Sequence, residues 1–120
     1  MRNAAFEFDS LTDDERIALG MALEFYIRMG LGQVGEIAQR LNLLHGDRLT
    51  PEKMDRIREL CDEMEDVLWD DAPPWKLEDA ETSDYTLTAF LLDARLTGNT
   101  KGERWARGRL RDREKLDQQE

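Results

Sequence analysis

From Ile17 to Met29 the chain is apolar on nearly every side of a helix. Ile17, Leu19, Met21, Leu23, Phe25, Tyr26, Ile27 and Met29 leave no broad polar stripe to face water. A helix of that kind is usually buried from all directions, so this run predicts a central helix around which the rest must pack. Its ends are marked. Upstream, Thr12-Asp13-Asp14-Glu15 has the form of a capping box: the Thr12 hydroxyl accepts from the Glu15 N–H, and the Glu15 carboxylate accepts from the Thr12 N–H. Asp13 and Asp14 suit the positive end of the helix dipole. Downstream, Gly30 and Gly32 stop the run, because glycine readily takes the left-handed cap conformation.

The rest of the chain continues in helical periods. Val34, Ile37, Ala38, Leu41 and Leu44 give a second helix with one buried stripe, stopped at His45-Gly46. Thr50-Pro51-Glu52-Lys53 starts a third, with Thr50 as cap and Pro51 at the first helical position, where its missing N–H costs nothing. Met54, Ile57, Cys61, Met64 and Leu68 form its inward face, and Pro73-Pro74 end it. Residues 70–82 read as a connector tacked down by Trp75 and Leu77. A fourth helix runs from about Asp84 to Leu96, with Tyr85, Ala89, Leu92 and Leu96 inward and Gly98 closing it. Thr100-Lys101-Gly102-Glu103 opens a fifth, highly charged, whose apolar content is Trp105, Ala106, Leu110 and Leu116. Before them all, Ala4, Phe6 and Phe8 alternate with Glu7 and Asp9, which suggests an extended arm. The expected fold is all-α: a compact bundle of four or five helices with a short extended N-terminal arm. Residues 1–120 then make one domain, with the arm at 1–11, core helices over 12–98, a basic C-terminal helix at 100–116 and a frayed end at 117–120.

With 120 residues and 40% hydrophobic content, the chain can build one core, burying roughly two thirds of the surface its unfolded form exposes. Charged residues are 37% of it, against a usual quarter, so the surface is densely charged. The net charge of -10 repels nucleic acid and anionic membranes and attracts basic partners. It is unevenly placed: residues 1–99 hold 10 bases and 22 acids, or -12, whereas residues 101–120 hold 7 bases and 5 acids, or +2. Cys61 is the only cysteine, which excludes an intrachain disulfide and a zinc cluster and fits a reducing compartment. Residues 1–10 lack the apolar core of a signal peptide, and no stretch nears the roughly 18 apolar residues of a membrane span. A cytoplasmic location follows as the expectation, in a bacterium or in a host cell.

The densest signal is acidic. Glu59, Asp62, Glu63, Glu65, Asp66, Asp70, Asp71, Glu78, Asp79 and Glu81 face a single base, Lys76. On the third helix Glu59, Asp62, Glu63 and Asp66 lie one turn apart and stack into a carboxylate ridge. Such a ridge has two readings. It can be solvated surface, or it can imitate a phosphate backbone and occupy a basic nucleic-acid-binding groove. Like charges at i,i+4 cost a helix a few tenths of a kcal/mol per pair, and local conflicts of that kind sometimes mark a functional surface.

The chemistry-bearing residues are sparse. Magnesium-dependent all-α nucleotide pyrophosphohydrolases need two Glu-x-x-Glu/Asp pairs on facing helices to hold the metal that bridges the phosphates. Here Glu59-x-x-Asp62 and Glu63-x-x-Asp66 overlap on one helix, and Glu24 and Glu36 stand singly upstream. His45 is the one histidine, and interaction with a helix C-terminus accounts for it. Cys61 falls on an apolar stripe and reads as core. Gly30-Leu31-Gly32-Gln33-Val34-Gly35 follows a helix instead of a strand, so it lacks the context of a dinucleotide-binding loop. Arg104, Arg107, Arg109, Arg111 and Arg113 surround Trp105, a pairing that can bind nucleic acid. Glu103, Asp112 and Glu114 dilute it, and a docking helix suits it better. No catalytic residue, cofactor or metal ligand is expected.

Leu11-Thr12, Glu15, Leu19, Ala22-Leu23, Tyr26, Arg28 and Gly32-Gln33 resemble the opening of small phage- or prophage-type α-helical proteins of unassigned function. The resemblance covers the first third of the chain. It implies a bacterial or viral setting and supplies no catalytic residue.

These features together suggest a small acidic protein-binding module, a phage-encoded inhibitor or modulator that occupies a basic, nucleic-acid-binding surface of a host protein. Glu59, Asp62, Glu63, Asp66, Asp70 and Asp71 would supply the charge, and Trp69 and Trp75 the aromatic anchors. No membrane and no direct nucleic-acid binding are expected. The alternative is a structural or assembly protein that forms a homo-oligomer by pairing its basic fifth helix with its acidic third. A metal-dependent nucleotide hydrolase is the third reading.

Overall fold

The computed structural model describes residues 8–69 and 75–119 of the chain. They form five α-helices and, among the described residues, no strand: α1 (Asp13–Gly30), α2 (Glu36–His45), α3 (Pro51–Trp69), α4 (Asp84–Thr97) and α5 (Thr100–Gln119). The fold class is all-α. The chain divides into two compact units, Met1–Ile27 with Ser83–Glu120, and Arg28–Thr82. Ala4, Phe6 and Glu7 of the expected arm lie outside the described residues. Over Phe8–Ser10 the expected extended backbone is instead one 3-10 turn, because Leu11 N donates to the Phe8 carbonyl (3.2 Å) and the Arg16 guanidinium donates to the same oxygen.

In the first unit α1 opens on the capping box: Glu15 N donates to Thr12 Oγ1 (3.1 Å) and Thr12 N to Glu15 Oε1 (2.8 Å). The helix is not the central one. It has no fully buried residue, and Ile17 is 60% exposed. That place belongs to α4, where Leu87 and Ala94 are buried on one side and Ala89 and Leu96 on the opposite side. The one-stripe expectation of Tyr85, Ala89, Leu92 and Leu96 fails for the same reason. Two buried stripes run along α4, and Tyr85 belongs to neither and is 75% exposed. Small residues decide this: alanines at 89, 94 and 106 allow close approach, and full burial of Leu87 stabilises by roughly 2 kcal/mol. Leu96 packs on Gly20 of α1, where an added Cβ would lie 3.5 Å from its Cδ2, and its carbonyl accepts from Arg16 (2.7 Å). On α5, Ala106 is fully buried and Trp105 meets Phe90 edge to face, centroids 5.7 Å apart. Arg113 pairs with Asp84 at 2.9 Å.

Caps set the ends of these helices. Ser83 caps α4, its hydroxyl accepting from Thr86 N (3.1 Å). Gly98 closes it at φ 76°, a left-handed conformation that a side chain would strain. The cap of α5 is Asn99, whose Oδ1 accepts from Gly102 N (3.0 Å), one residue earlier than the box expected at Thr100. Glu103, freed from that role, pairs with Arg107 at 2.9 Å.

In the second unit α2 packs on α3 through Ala38, Met54 and Cys61, flanked by Ile37, Leu49 and Ile57. Thr50 caps α3 as expected, accepting from Lys53 N (3.2 Å). The inward face of α3 is shorter than its spacing predicts. Met64 and Leu68 are exposed, as is Leu44 at the end of α2. Met64 lies to one side of the contact that Met54 and Cys61 make with α2, and Leu68 lies past Glu65, the residue against which the chain entering α2 is held.

A candidate interaction surface on the third helix

Three sides of α3 have different neighbours. One, with Met54 and Cys61, is buried against α2. A second carries Glu52, Asp55, Glu59, Asp62, Glu63 and Asp66, all exposed. They recur three and four residues apart, so helical geometry stacks them in one ridge. Within it Arg58 pairs with Asp55 (3.3 Å) and Arg56 with Glu59 (3.1 Å). Asp62, Glu63 and Asp66 have no ion-pair partner among the described residues, so the C-terminal half of the ridge keeps its full charge. The third side, between the other two, carries Leu60, Met64, Val67 and Leu68, which with Glu63 line an open depression.

Glu65 belongs to the acidic block in sequence but not in space. Its carboxylate accepts from Gly35 N (3.0 Å), just ahead of α2. It serves as a remote cap that holds α2 on α3, supplying a negative charge where the helix dipole favours one. The sequence offers no signal for this, because its partner lies thirty residues away.

The two tryptophans proposed as anchors differ. Trp75 is exposed, but Trp69 is only partly so. Both rings flank Gly32, which turns the chain at φ 76° after α1. A Cβ there would fall 2.5 Å from Trp69 Nε1 and 3.1 Å from Trp75 Cε3. The buried indole N–H of Trp69 meets no acceptor among the described residues, a cost of about 1–3 kcal/mol. Trp69 thus helps to shape the turn after α1, which Gln33 N also closes onto the Arg28 carbonyl (2.9 Å) while the Arg28 guanidinium donates to Gln33 Oε1 (2.8 Å). Asp70 and Asp71, the remaining two candidates, lie outside the described residues.

No known protein family, curated protein or solved structure matches this chain. Its function has to be read from its own surface. Among the described residues, no group of three or more His, Cys, Asp or Glu side chains converges to hold a metal, and no helix is long and apolar enough to cross a membrane. The carboxyl of Asp93, on α4, is held above its usual 3.8, first by burial and then by the nearby charge of Glu24 on α1. That pair is a local cost inside the first unit. His45 is exposed at the last position of α2. Sequence reasoning missed the apolar side of α3. The signal was present: Leu60 and Val67 lie off the stripe of Met54, Ile57 and Cys61, yet both are apolar.

Proposed function

We propose that this chain is a protein-binding module that uses the acidic ridge of α3 to occupy a basic surface of a partner protein. One observation carries the reading: Glu59, Asp62, Glu63 and Asp66 stand exposed in a row, and three of them lack an internal counter-charge among the described residues. At 1.5 Å rise per residue the three unpaired carboxylates, Asp62, Glu63 and Asp66, span about 6 Å, or about 3 Å of axis per charge. One strand of duplex DNA carries a charge every 3.4 Å or so. The linear charge density of the ridge thus suits a groove built for a nucleic-acid backbone. A phage-encoded modulator of a host nucleic-acid-handling protein fits that chemistry, and Trp75, exposed in the same unit, is available as an aromatic anchor.

The experiment is affinity capture from bacterial lysate at low and high salt, with a variant carrying Glu59→Lys, Asp62→Lys and Asp66→Lys run alongside. The expected result is a basic protein held by the wild-type chain at low salt, released by high salt, lost with the variant and displaced by duplex DNA. Equal capture by wild type and variant overturns the ridge as the binding surface.

A further inference from the structure

Leu60, Met64, Val67 and Leu68 of α3 are 41, 42, 78 and 43% exposed. Single exposed leucines are ordinary, but four such side chains on one side of one helix mark a contact surface. With Ile57, half-buried at the border of the α2 contact, the residues Leu60, Met64 and Val67 repeat at the 3-4-3 spacing of a coiled-coil seam. The edge of that seam is charged in a graded way. Lys53, four residues before Ile57, continues the seam itself; Arg56 lies along its N-terminal edge, beside Glu59 of the same chain, and Glu63 follows Arg56 by one heptad.

We infer that this side of α3 is covered by a second copy of the chain, with the two α3 helices antiparallel about a two-fold axis. Charge complementarity selects both the occupant and the direction. In the antiparallel arrangement Arg56 of each copy exchanges Glu59 of its own chain for Glu63 of the other, Ile57 packs on Leu60, and the aliphatic stem of Lys53 lies over Met64. All three contacts occur twice, as an isologous interface requires. A parallel pair sets Arg56 level with Arg56 and Glu63 level with Glu63, which is repulsive. The α5 helix of a second copy is the poorer occupant, because its own apolar residues Trp105 and Ala106 already pack in the first unit. A contact along about four helical turns is smaller than the ~800 Å² per partner of a standard interface, so association is on the order of micromolar. The seam borders the ridge at Glu63, which lines the apolar depression; the dimer engages that carboxylate and leaves Asp62 and Asp66 open.

Sedimentation equilibrium of the full chain across the micromolar range tests this, with far-UV circular dichroism to confirm that each variant folds. The wild-type mass rises with concentration from 14.0 kDa toward twice that value. Arg56→Glu or Glu63→Arg alone raises the dissociation constant about tenfold or more, by setting like charges opposite each other. The two together restore it. Restoration requires the antiparallel pairing, because within one helix the two positions are about 10.5 Å of rise apart. Leu60→Glu, at an exposed position, gives a monomer. A mass of 14.0 kDa at every concentration overturns the inference, and so does a dimer indifferent to Arg56→Glu or a double swap that stays weak. A dimer abolished by Asp62→Lys and Asp66→Lys but not by Arg56→Glu belongs to the ridge, and equally overturns the seam.

Discussion

Gly32 holds a left-handed turn at φ 76° with the Trp69 indole nitrogen 2.5 Å from where a Cβ would stand. Two costs coincide there: backbone strain for any L side chain, and the displacement of a packed ring. Gly32→Ala is predicted to destabilise the fold by about 2 kcal/mol or more, measured as a lower urea midpoint by tryptophan fluorescence. An unchanged midpoint would mean the turn is not under this constraint. Asp93 gives a pH-dependent case. Its folded-state carboxyl titrates above 3.8, so between 3.8 and the raised value the folded state binds more protons than the unfolded one. Stability then falls as pH rises through that window, and above it the cost of the partly buried charge remains. Asp93→Asn removes a cost that exists only when the carboxyl is ionised. The variant should therefore be more stable than wild type near neutral pH, with the gain shrinking as pH falls toward 3.8 and vanishing below it. Denaturant melts of both proteins at several pH values check the sign, and a gain that persists below that pH contradicts it. At this scale the sequence was legible where partners are neighbours, as at Thr12 and Glu15, and opaque where they are not. Glu65 is indistinguishable from Asp66 in the sequence, yet one caps α2 and the other faces solvent.

The helices themselves were largely legible, because their start and stop signals are local. All five fall where periodicity and caps place them, with boundaries within a few residues. The rank of the helices was not. An apolar run such as that of α1 says only that burial is available on every side; close packing also needs small residues where backbones approach, and α4 has them at Ala89 and Ala94. Ser83 shows how much one cap contributes there. Its hydroxyl accepts from Thr86 N and sits 2.8 Å from the hydroxyl of Thr86, which is 1% exposed. Ser83→Ala is predicted to cost about 1–2 kcal/mol, because it removes an N-cap and leaves a buried hydroxyl without that partner. A thermal melt settles the value, and a loss of only a few tenths would show that water replaces the serine. The exposed apolar side of α3 follows from an element-scale fact as well: α2 packs on the side of Met54 and Cys61 and leaves the side of Leu60 and Val67 open.

Over the whole molecule, the two surfaces on α3 differ in how they answer to salt. The Debye length falls from about 30 Å at 0.01 M to about 8 Å at 0.15 M salt. A partner held by the ridge should therefore be released as salt rises, whereas the seam, mostly apolar with two ion pairs, should respond weakly, since added salt also screens the repulsion between two chains of charge -10. The capture and sedimentation experiments thus separate the surfaces without further variants. By itself the sequence determined the all-α class, the five helices, most of their caps and the sign of the surface charge, because each of these depends on residues within a turn or two of one another or on composition. Only the tertiary structure decided that α4 is buried on two sides, that Glu65 and Trp69 are committed to internal contacts, and that Leu60, Met64 and Val67 are left uncovered. Those outcomes depend on which elements meet and how far each extends, and the pattern of a single helix records which side is apolar without recording what will cover it.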